Sequence, residues 1–533
     1  MEKDLIVRGH IWTGEKNAPF AEAFLVRNGI FQAVGSFREI EERTSPHKAE
    51  VLDARDGLVL PGLSDSHIHL TAQAKQNIYI NLKDVTSLEA TLQKIREESR
   101  HISRNTWIRA INYNEEIWSE EGDLSREVLD GLNLDNPLLV SRYCGHRHVA
   151  NTAGLQQSGL WDSSNPDVLR NSQGIPTGIL IEGTAGPIIA EIAKLYETPE
   201  KIREGIVKTC TELSSFGVTA VHICDAPSYA LAEDLWAFQA LEESDLLPLR
   251  VTSYHDALPN YSFRSDFGSS LLRFGGFKLF CDGNIGGRTA ALSSSFSDDE
   301  GNIGKLNHSD EELYEHLIAA QERNIQVQIH VIGDRAVEQA LRNIERVVRE
   351  KGHPFKPYRL NHVSYCPAHL MPKIRELGII VDVQPTQAYR NQYTAPKRLG
   401  DVRMPFIYPY RKFIDEGILL TGSSDGPVED INPWVGIWAA VNRMGDHGSP
   451  LPYFPGRDKL TLDEALRMYI INPWIALERE GELGKIHSSF KADFTILEEN
   501  PFDTPPEKLR DLRILYTFLG GKCVWKQGGS PCF

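Results

Sequence analysis

Leu60-Pro61-Gly62-Leu63-Ser64-Asp65-Ser66-His67-Ile68-His69-Leu70 reads as a short buried strand that ends on two histidines. Alternate residues of a strand face the same side, so His67 and His69 aim at one point. That geometry lets a rigid element grip a metal ion. An H-x-H pair after an apolar run is a weak signal by itself. Its meaning depends on whether later strands supply the missing ligands.

Seven more apolar runs follow with strand character, at residues 218–223, 249–254, 276–280, 326–331, 359–363, 379–383 and 418–422. Helical spacing separates several of them. Leu313, Leu317 and Ala320 keep one helical face, as do Ala336, Ala340, Ile344 and Val348. With the opening run at 62–69, eight buried strands alternating with helices predict an α/β chain built on a (β/α)8 TIM-type barrel.

The first connection, residues 70 to 215, is too long for one link. It carries its own helical and strand patterns, and we read it as an inserted subdomain near the barrel mouth, a substrate cap. Both chain ends are β-rich. Asn28-Gly29 between two apolar runs signals a hairpin, and residues 492–497, 514–518 and 523–525 read as strands. Neither end buries a core alone. Residues 1–60 and 484–533 are therefore expected to form one composite β-sandwich domain, with the barrel over 61–483 and the insert at 70–215.

Composition narrows the function. The formal charge is −16, from 57 Lys plus Arg against 73 Asp plus Glu. An acidic chain without a basic run is a poor partner for nucleic acid or an anionic membrane. No apolar run reaches the length of a membrane span, and Met1-Glu2-Lys3-Asp4-Leu5 lacks a signal-peptide profile. The seven cysteines, Cys144, Cys210, Cys224, Cys281, Cys366, Cys523 and Cys532, never stand in C-x-x-C spacing. Free thiols in a reducing cytoplasm fit that pattern. A small-molecule substrate is the expected partner.

Polar residues end five of the eight strands. His67 and His69 end the first, Lys278 lies in the fourth, His330 in the fifth and His362 in the sixth, and Asp425 follows the eighth. In such barrels the C-terminal strand ends face the active site. Imidazoles and a carboxylate are usual zinc ligands. A lysine buried in Phe277-Lys278-Leu279-Phe280 loses proton affinity, and a neutral amine can add carbon dioxide to become a carbamate that bridges metals. Pairing of Lys278 with Asp282 and a Schiff-base role are the alternatives. Individually, His330 and His362 could be core histidines, and Asp425 could cap a helix. His222 ends the second strand, where no ligand is expected, and reads as structural or supporting.

The order H-x-H, Lys, His, His, Asp resembles the amidohydrolase superfamily, most closely its YtcJ-like, or amidohydrolase-3, group. The resemblance runs nearly end to end. It is carried by Pro61 to His69, Lys278-Leu279-Phe280-Cys281-Asp282-Gly283, Gly287-Arg288-Thr289-Ala290-Ala291-Leu292, His330-Val331-Ile332-Gly333-Asp334-Arg335-Ala336, Ser423-Ser424-Asp425-Gly426-Pro427-Val428 and Ala492-Asp493-Phe494. Gly145-His146-Arg147-His148-Val149-Ala150-Asn151-Thr152 resembles the group's G-H-S-x-x-x-N-S run, with Arg147 in the serine place. An arginine there either recognises an anionic substrate or is a surface charge.

The resemblance implies a zinc-type centre of one or two divalent ions and hydrolysis of an amide-like C–N bond, formamides among the candidates. His67 and His69 would hold the more buried ion, with Asp425 completing its shell. His330 and His362 would hold the second, and carbamylated Lys278 would bridge. Asp425 would act as general acid and base, and His146 and Arg288 would orient substrate. Many relatives dimerise, so a homodimer is expected. Two rivals stand beside this reading. A metal-free regulatory relative would have lost ligands, and all six are present. The same centre could instead cleave an ester or phosphoester; the chain has no P-loop and no G-x-S-x-G elbow.

Overall fold

A computed structural model describes residues 4–44, 49–83, 85–118, 122–143, 147–225, 232–256, 263–444 and 458–529. Its centre is an eight-stranded parallel sheet. The strands are Leu63–Ile68, Val218–Ile223, Arg250–His255, Leu272–Phe280, Gln326–Val331, Arg359–His362, Ile380–Val383 and Leu420–Gly422, paired in chain order. These are the eight runs predicted from the sequence. Parallel strands covered on both faces need continuous apolar runs, and every residue of Leu63–Ile68 and Val218–Ile223 is buried. Gly62 is required at the entry, because a Cβ there would lie 2.1 Å from Thr219 Oγ1.

The first and eighth strands share no ladder, so the barrel is closed by other bonds. Asp425 N–H donates to His67 O at 2.8 Å and His69 N–H to Gly426 O at 2.8 Å. The buried Asp65 carboxylate accepts from the Ser424 N–H at 3.1 Å and from the Ser424 hydroxyl. The barrel seam thus runs between three of the predicted site residues.

Two of the covering helices show why the apolar spacing was readable. Asp310–Glu322 starts at a capping box of Ser309 and Glu312 and buries Leu313, Leu317 and Ala320. Asp334–Lys351 buries Ala336, Ala340, Ile344 and Val347. Its inward face ends at Val347 rather than at the predicted Val348.

The chain ends meet in one sheet. Its order is Lys522–Lys526, Ile514–Leu519, Phe494–Leu497, Ala49–Pro61, Asp4–Trp12, Phe20–Arg27, Ile30–Gly35. The strands pair as one continuous seven-stranded sheet, folded so that the Phe24 and Phe494 rings, on strands three steps apart in that order, meet at 5.0 Å between centroids. One of its faces buries Val7, Ile11, Phe24, Phe31, Phe494 and Phe518, contributed by both ends. The predicted hairpin is present: Asn28 and Gly29 both take positive φ, 52° and 75°, the backbone of a two-residue type I′ turn.

A buried ion pair ties this sheet to the barrel. The third-strand residue Arg250 donates from Nε to Asp493 Oδ2 at 2.6 Å and from Nη2 to Oδ1 at 2.8 Å. Asp493 Oδ1 also accepts from Gly520 N–H at 2.7 Å, and its carbonyl from Gly62 N–H at 3.0 Å. Removing one partner of a buried pair strands the other. Asp493→Ala is therefore expected to cost about 3–5 kcal/mol, read from the shift of the urea unfolding curve. A loss comparable to that of an exposed pair, below about 1 kcal/mol, would contradict this account.

The remaining residues, Thr71–Ile206, form a second compact unit. It is built on a six-stranded sheet in the order Val168–Arg170, Pro176–Ile181, Arg147–Ala150, Leu138–Arg142, Ile108–Tyr113, Ile80–Asn81. Apolar clusters pack around Ile108, Tyr113, Leu138 and Val140, and around Trp107, Leu155 and Leu180. The unit ends inside the helix Pro199–Ser215, earlier than the residue 215 read from the sequence. The helix is continuous across that boundary, so no break in the local pattern marked it.

Candidate metal centre

Three predicted ligands converge. His67 Nε2 and His69 Nε2 each lie 3.2 Å from Asp425 Oδ1. One ligand atom from each residue fits within 4.8 Å of the others, and all three side chains are buried. Strand geometry delivers His67. His69 stands just past the strand end, before the helix Leu70–Gln76. Asp425 is re-aimed by a left-handed backbone, φ 59°.

His330 and His362 adjoin this trio. Their ring centroids are 4.5 Å apart, and His362 lies 5.2 Å from His67. Strand alternation alone would not bring His362 here, because Arg359 and Asn361 already occupy one face of that strand. His362 and Val363 adopt φ of 73° and 44°, a conformation that non-glycine residues take only where surrounding structure enforces it. Gln384 Oε1 accepts from His362 Nδ1 at 2.7 Å, and its Nε2 donates to the Ser423 hydroxyl at 2.9 Å. That bond fixes the ring and leaves Nε2 to act as a ligand.

Burial sets the protonation of these groups. It pushes His67 down to about 3 and His330 to about 4, with the Lys278 charge adding to both. His362 also falls well below its usual value, through burial and then His330. Burial alone would raise Asp425, yet hydrogen bonds from His67 and His69 hold it well below the carboxylate range. These three imidazoles are thus neutral and Asp425 is anionic at neutral pH, the states metal ligation requires. The donor set, imidazoles and a carboxylate without thiolate, fits a borderline divalent ion such as zinc.

Lys278 is fully buried, and burial lowers its amine to about 8. It donates to Asn361 Oδ1. The alternative partner, Asp282, is engaged elsewhere: it accepts from Ala291 N–H at 2.8 Å and from Ile332 and Gly333 N–H at 2.9 Å each. Asp282 therefore binds the loop after the fourth strand to the loop after the fifth. Burial raises its carboxyl to about 7, opposed by those three bonds. His330 Nε2 contacts Gly283 O at 3.1 Å.

Arg288 is paired with Asp298, Nε to Oδ1 at 3.1 Å and Nη2 to Oδ2 at 3.0 Å. Arg147 pairs with Asp123, and Glu115 lies 4.0 Å away, so an ion-pair network surrounds it. His146 lies outside the described residues. His222 faces the barrel interior, where its Nδ1 is 3.1 Å from Arg359 Nη1.

Several residues of the site were not predicted. Beneath the histidines lies a buried polar layer of Arg359, Asp382, Asn361 and Gln328. Arg359 clasps Asp382 with Nη2–Oδ1 and Nε–Oδ2 distances of 2.8 and 3.1 Å. Glu429, four residues past Asp425, is buried with its carboxyl raised to about 7 by burial, and Arg390 Nε lies 2.9 Å from it. A signal did exist in the sequence. Gln326, Gln328 and His330 alternate along one strand, as do Arg359 and Asn361 along the next, which is the period of a strand's inward face.

The chain is similar to several known proteins. The model described as Amidohydrolase family matches residues 50–525. YtcJ of Bacillus subtilis (strain 168) is 28% identical over 526 residues, covering 97% of this chain and 98% of that one. N-substituted formamide deformylase of Arthrobacter pascens is 26% identical over 547 residues, covering 99% of each. A crystal structure of an uncharacterized metal-dependent hydrolase from Pyrococcus horikoshii OT3 aligns with a TM-score of 0.79 at 25% identity, covering 94% of this chain and 99% of that one.

Proposed function

We propose, for a chain that belongs to the amidohydrolase family, a metal-dependent hydrolase that cleaves a carbon–nitrogen bond of a small non-peptide amide, formamides included. The observation that carries this reading is the convergence of His67 and His69 Nε2 on Asp425 Oδ1 at the C-terminal ends of the barrel strands. The likeness to N-substituted formamide deformylase supports the bond class.

His67, His69 and Asp425 would hold one divalent ion, zinc by donor type. Lys278 as its carbamate, with His330 and His362, would hold a second. A bound divalent ion supplies a polarised carbonyl and a water of lowered pKa. The residues do the rest. Asp425 keeps Oδ1 toward the two histidines, so Oδ2 takes the proton of the attacking water. The same carboxyl then passes that proton to the leaving nitrogen. Gln384 keeps the His362 ring from turning away. Lys278 would react as R–NH2 plus CO2, forming one N–C bond and releasing one proton to water.

Dialysis against a chelator is expected to lower turnover at least about a hundredfold, with zinc restoring it. Undiminished turnover in protein shown metal-free by elemental analysis would overturn the reading. A panel of formamides, N-acyl amines, cyclic amides, carboxylic esters and phosphoesters tests the bond class. Preference for esters or phosphoesters would overturn the C–N assignment while leaving the centre intact.

A further inference from the structure

Asn361 occupies a fixed place between Lys278 and the buried ion pair below it. Its Nδ2 donates to Gln328 Oε1 at 3.0 Å and to Asp382 Oδ2 at 2.6 Å. Its Oδ1 accepts from Lys278 Nζ. Turning the amide over would set its oxygen against a carboxylate and its NH2 against an amine, so the network permits one orientation. Asp382 is held in turn by both Arg359 bonds and by the Thr421 hydroxyl. Gln328 Oε1 also accepts from Cys224 Sγ at 3.2 Å. All these groups are buried, where an unmade bond costs most.

A neutral acceptor at this point has a chemical consequence. An ammonium, an amine and a carbamate nitrogen each retain an N–H that an amide oxygen can accept. A carboxylate in the same place would lose both Nδ2 bonds and set a like charge against Asp382, so the acceptor would no longer be held in one direction toward Lys278. Carbamate formation uses the Nζ lone pair to attack the carbon of CO2. The N–C bond forms, one C=O π pair moves to oxygen, and one N–H proton leaves to water. The N–H that remains still meets Asn361.

We propose that Asn361 is a positioning residue, held by Arg359 through Asp382, that directs Lys278 so that its nitrogen can be carbamylated facing the histidines. The inference rests on the reading of Lys278 as a carbamate. It adds to that reading a residue outside the ligand set which decides whether the modification forms.

The test uses zinc-supplied full-length protein equilibrated with carbon-13-labelled bicarbonate and read by carbon-13 NMR. Wild type is expected to show a carbamate carbon that Lys278→Gln lacks. Asn361→Asp, nearly the same shape, is expected to lose that signal at least fivefold while circular dichroism shows a folded chain. Should Asn361→Asp not fold, Asn361→Ser takes its place, with a loss of at least threefold expected. Wild-type carbamate occupancy in the folded variant would overturn the role of Asn361 and leave Lys278 standing. Absence of the signal in wild type would overturn the reading of Lys278 itself, and this inference with it. Zinc content, measured on the same samples, is expected to fall by about one ion per chain with the carbamate, since His67, His69 and Asp425 stay in place.

Discussion

Asp425→Asn is expected to lower kcat by about a thousandfold, within the range that loss of a general acid–base group produces. Asparagine preserves the shape and the left-handed backbone at φ 59°, because Asn tolerates that region well. What it loses is the anion. In wild type that carboxylate sits 3.2 Å from two imidazole nitrogens and is held ionised by them. The amide cannot take a proton from water or return one to a leaving amine. Loss of charge also weakens a cation site, so metal content must be measured alongside rate. Two observations separate the effects. Zinc titration should recover any lost occupancy without recovering kcat. Substrates with activated leaving groups, which need less protonation, should suffer less. Turnover within tenfold of wild type, at matched metal content, would remove Asp425 from the role of base.

Asp382→Asn is expected to cost about 3–5 kcal/mol of stability, the scale of breaking a buried ion pair from one side. Both partners are fully buried. The Arg359 guanidinium also donates to Ser66 O at 2.9 Å and lies 3.2 Å from the Tyr254 hydroxyl. It therefore links the sixth strand to the first, one residue before His67. Losing its counter-ion leaves a charge that the barrel interior cannot solvate. Burial opposes the Arg359 charge and the Asp382 carboxylate compensates, so the carboxylate is the part whose removal matters. Urea unfolding of Asp382→Asn, Arg359→Leu and the double variant forms a thermodynamic cycle. The double is expected to lose less than the sum of the singles. Additive losses would mean the pair does not act as a unit.

The barrel was legible because its eight strands are apolar runs of the right length, and because their covering helices keep helical spacing. His67, His69 and Asp425 were legible for a related reason: polar residues at the ends of buried strands are conspicuous. The layer beneath them was not. Arg359 and Asp382 sit inside short runs where a charge reads as a strand boundary, and only pairing across adjacent strands makes them compatible with burial. Asn361 and Gln328 looked like ordinary polar interruptions, although their alternation with His330 and Arg359 marks an inward face. Arg288 has a partner that the sequence did not announce. It stands in a motif of the family, yet its counter-ion Asp298 lies ten residues away and offered no local signal. The composite β domain was legible only in part: both chain ends read as strands, but nothing in the sequence showed that Ala49–Pro61 is long enough to pair with strands from both of them.

The barrel seam also sets an order of assembly. Asp65 and Ser424, which close it, lie 359 residues apart. On a ribosome adding about 5–20 residues per second, the first strand waits roughly 20–70 s for its closing partner to emerge. During that interval two histidines exist without their carboxylate. A nascent chain arrested before the eighth strand should therefore bind zinc far more weakly than the finished protein. The proposed ion would then be held only after the eighth strand has emerged and the seam has closed.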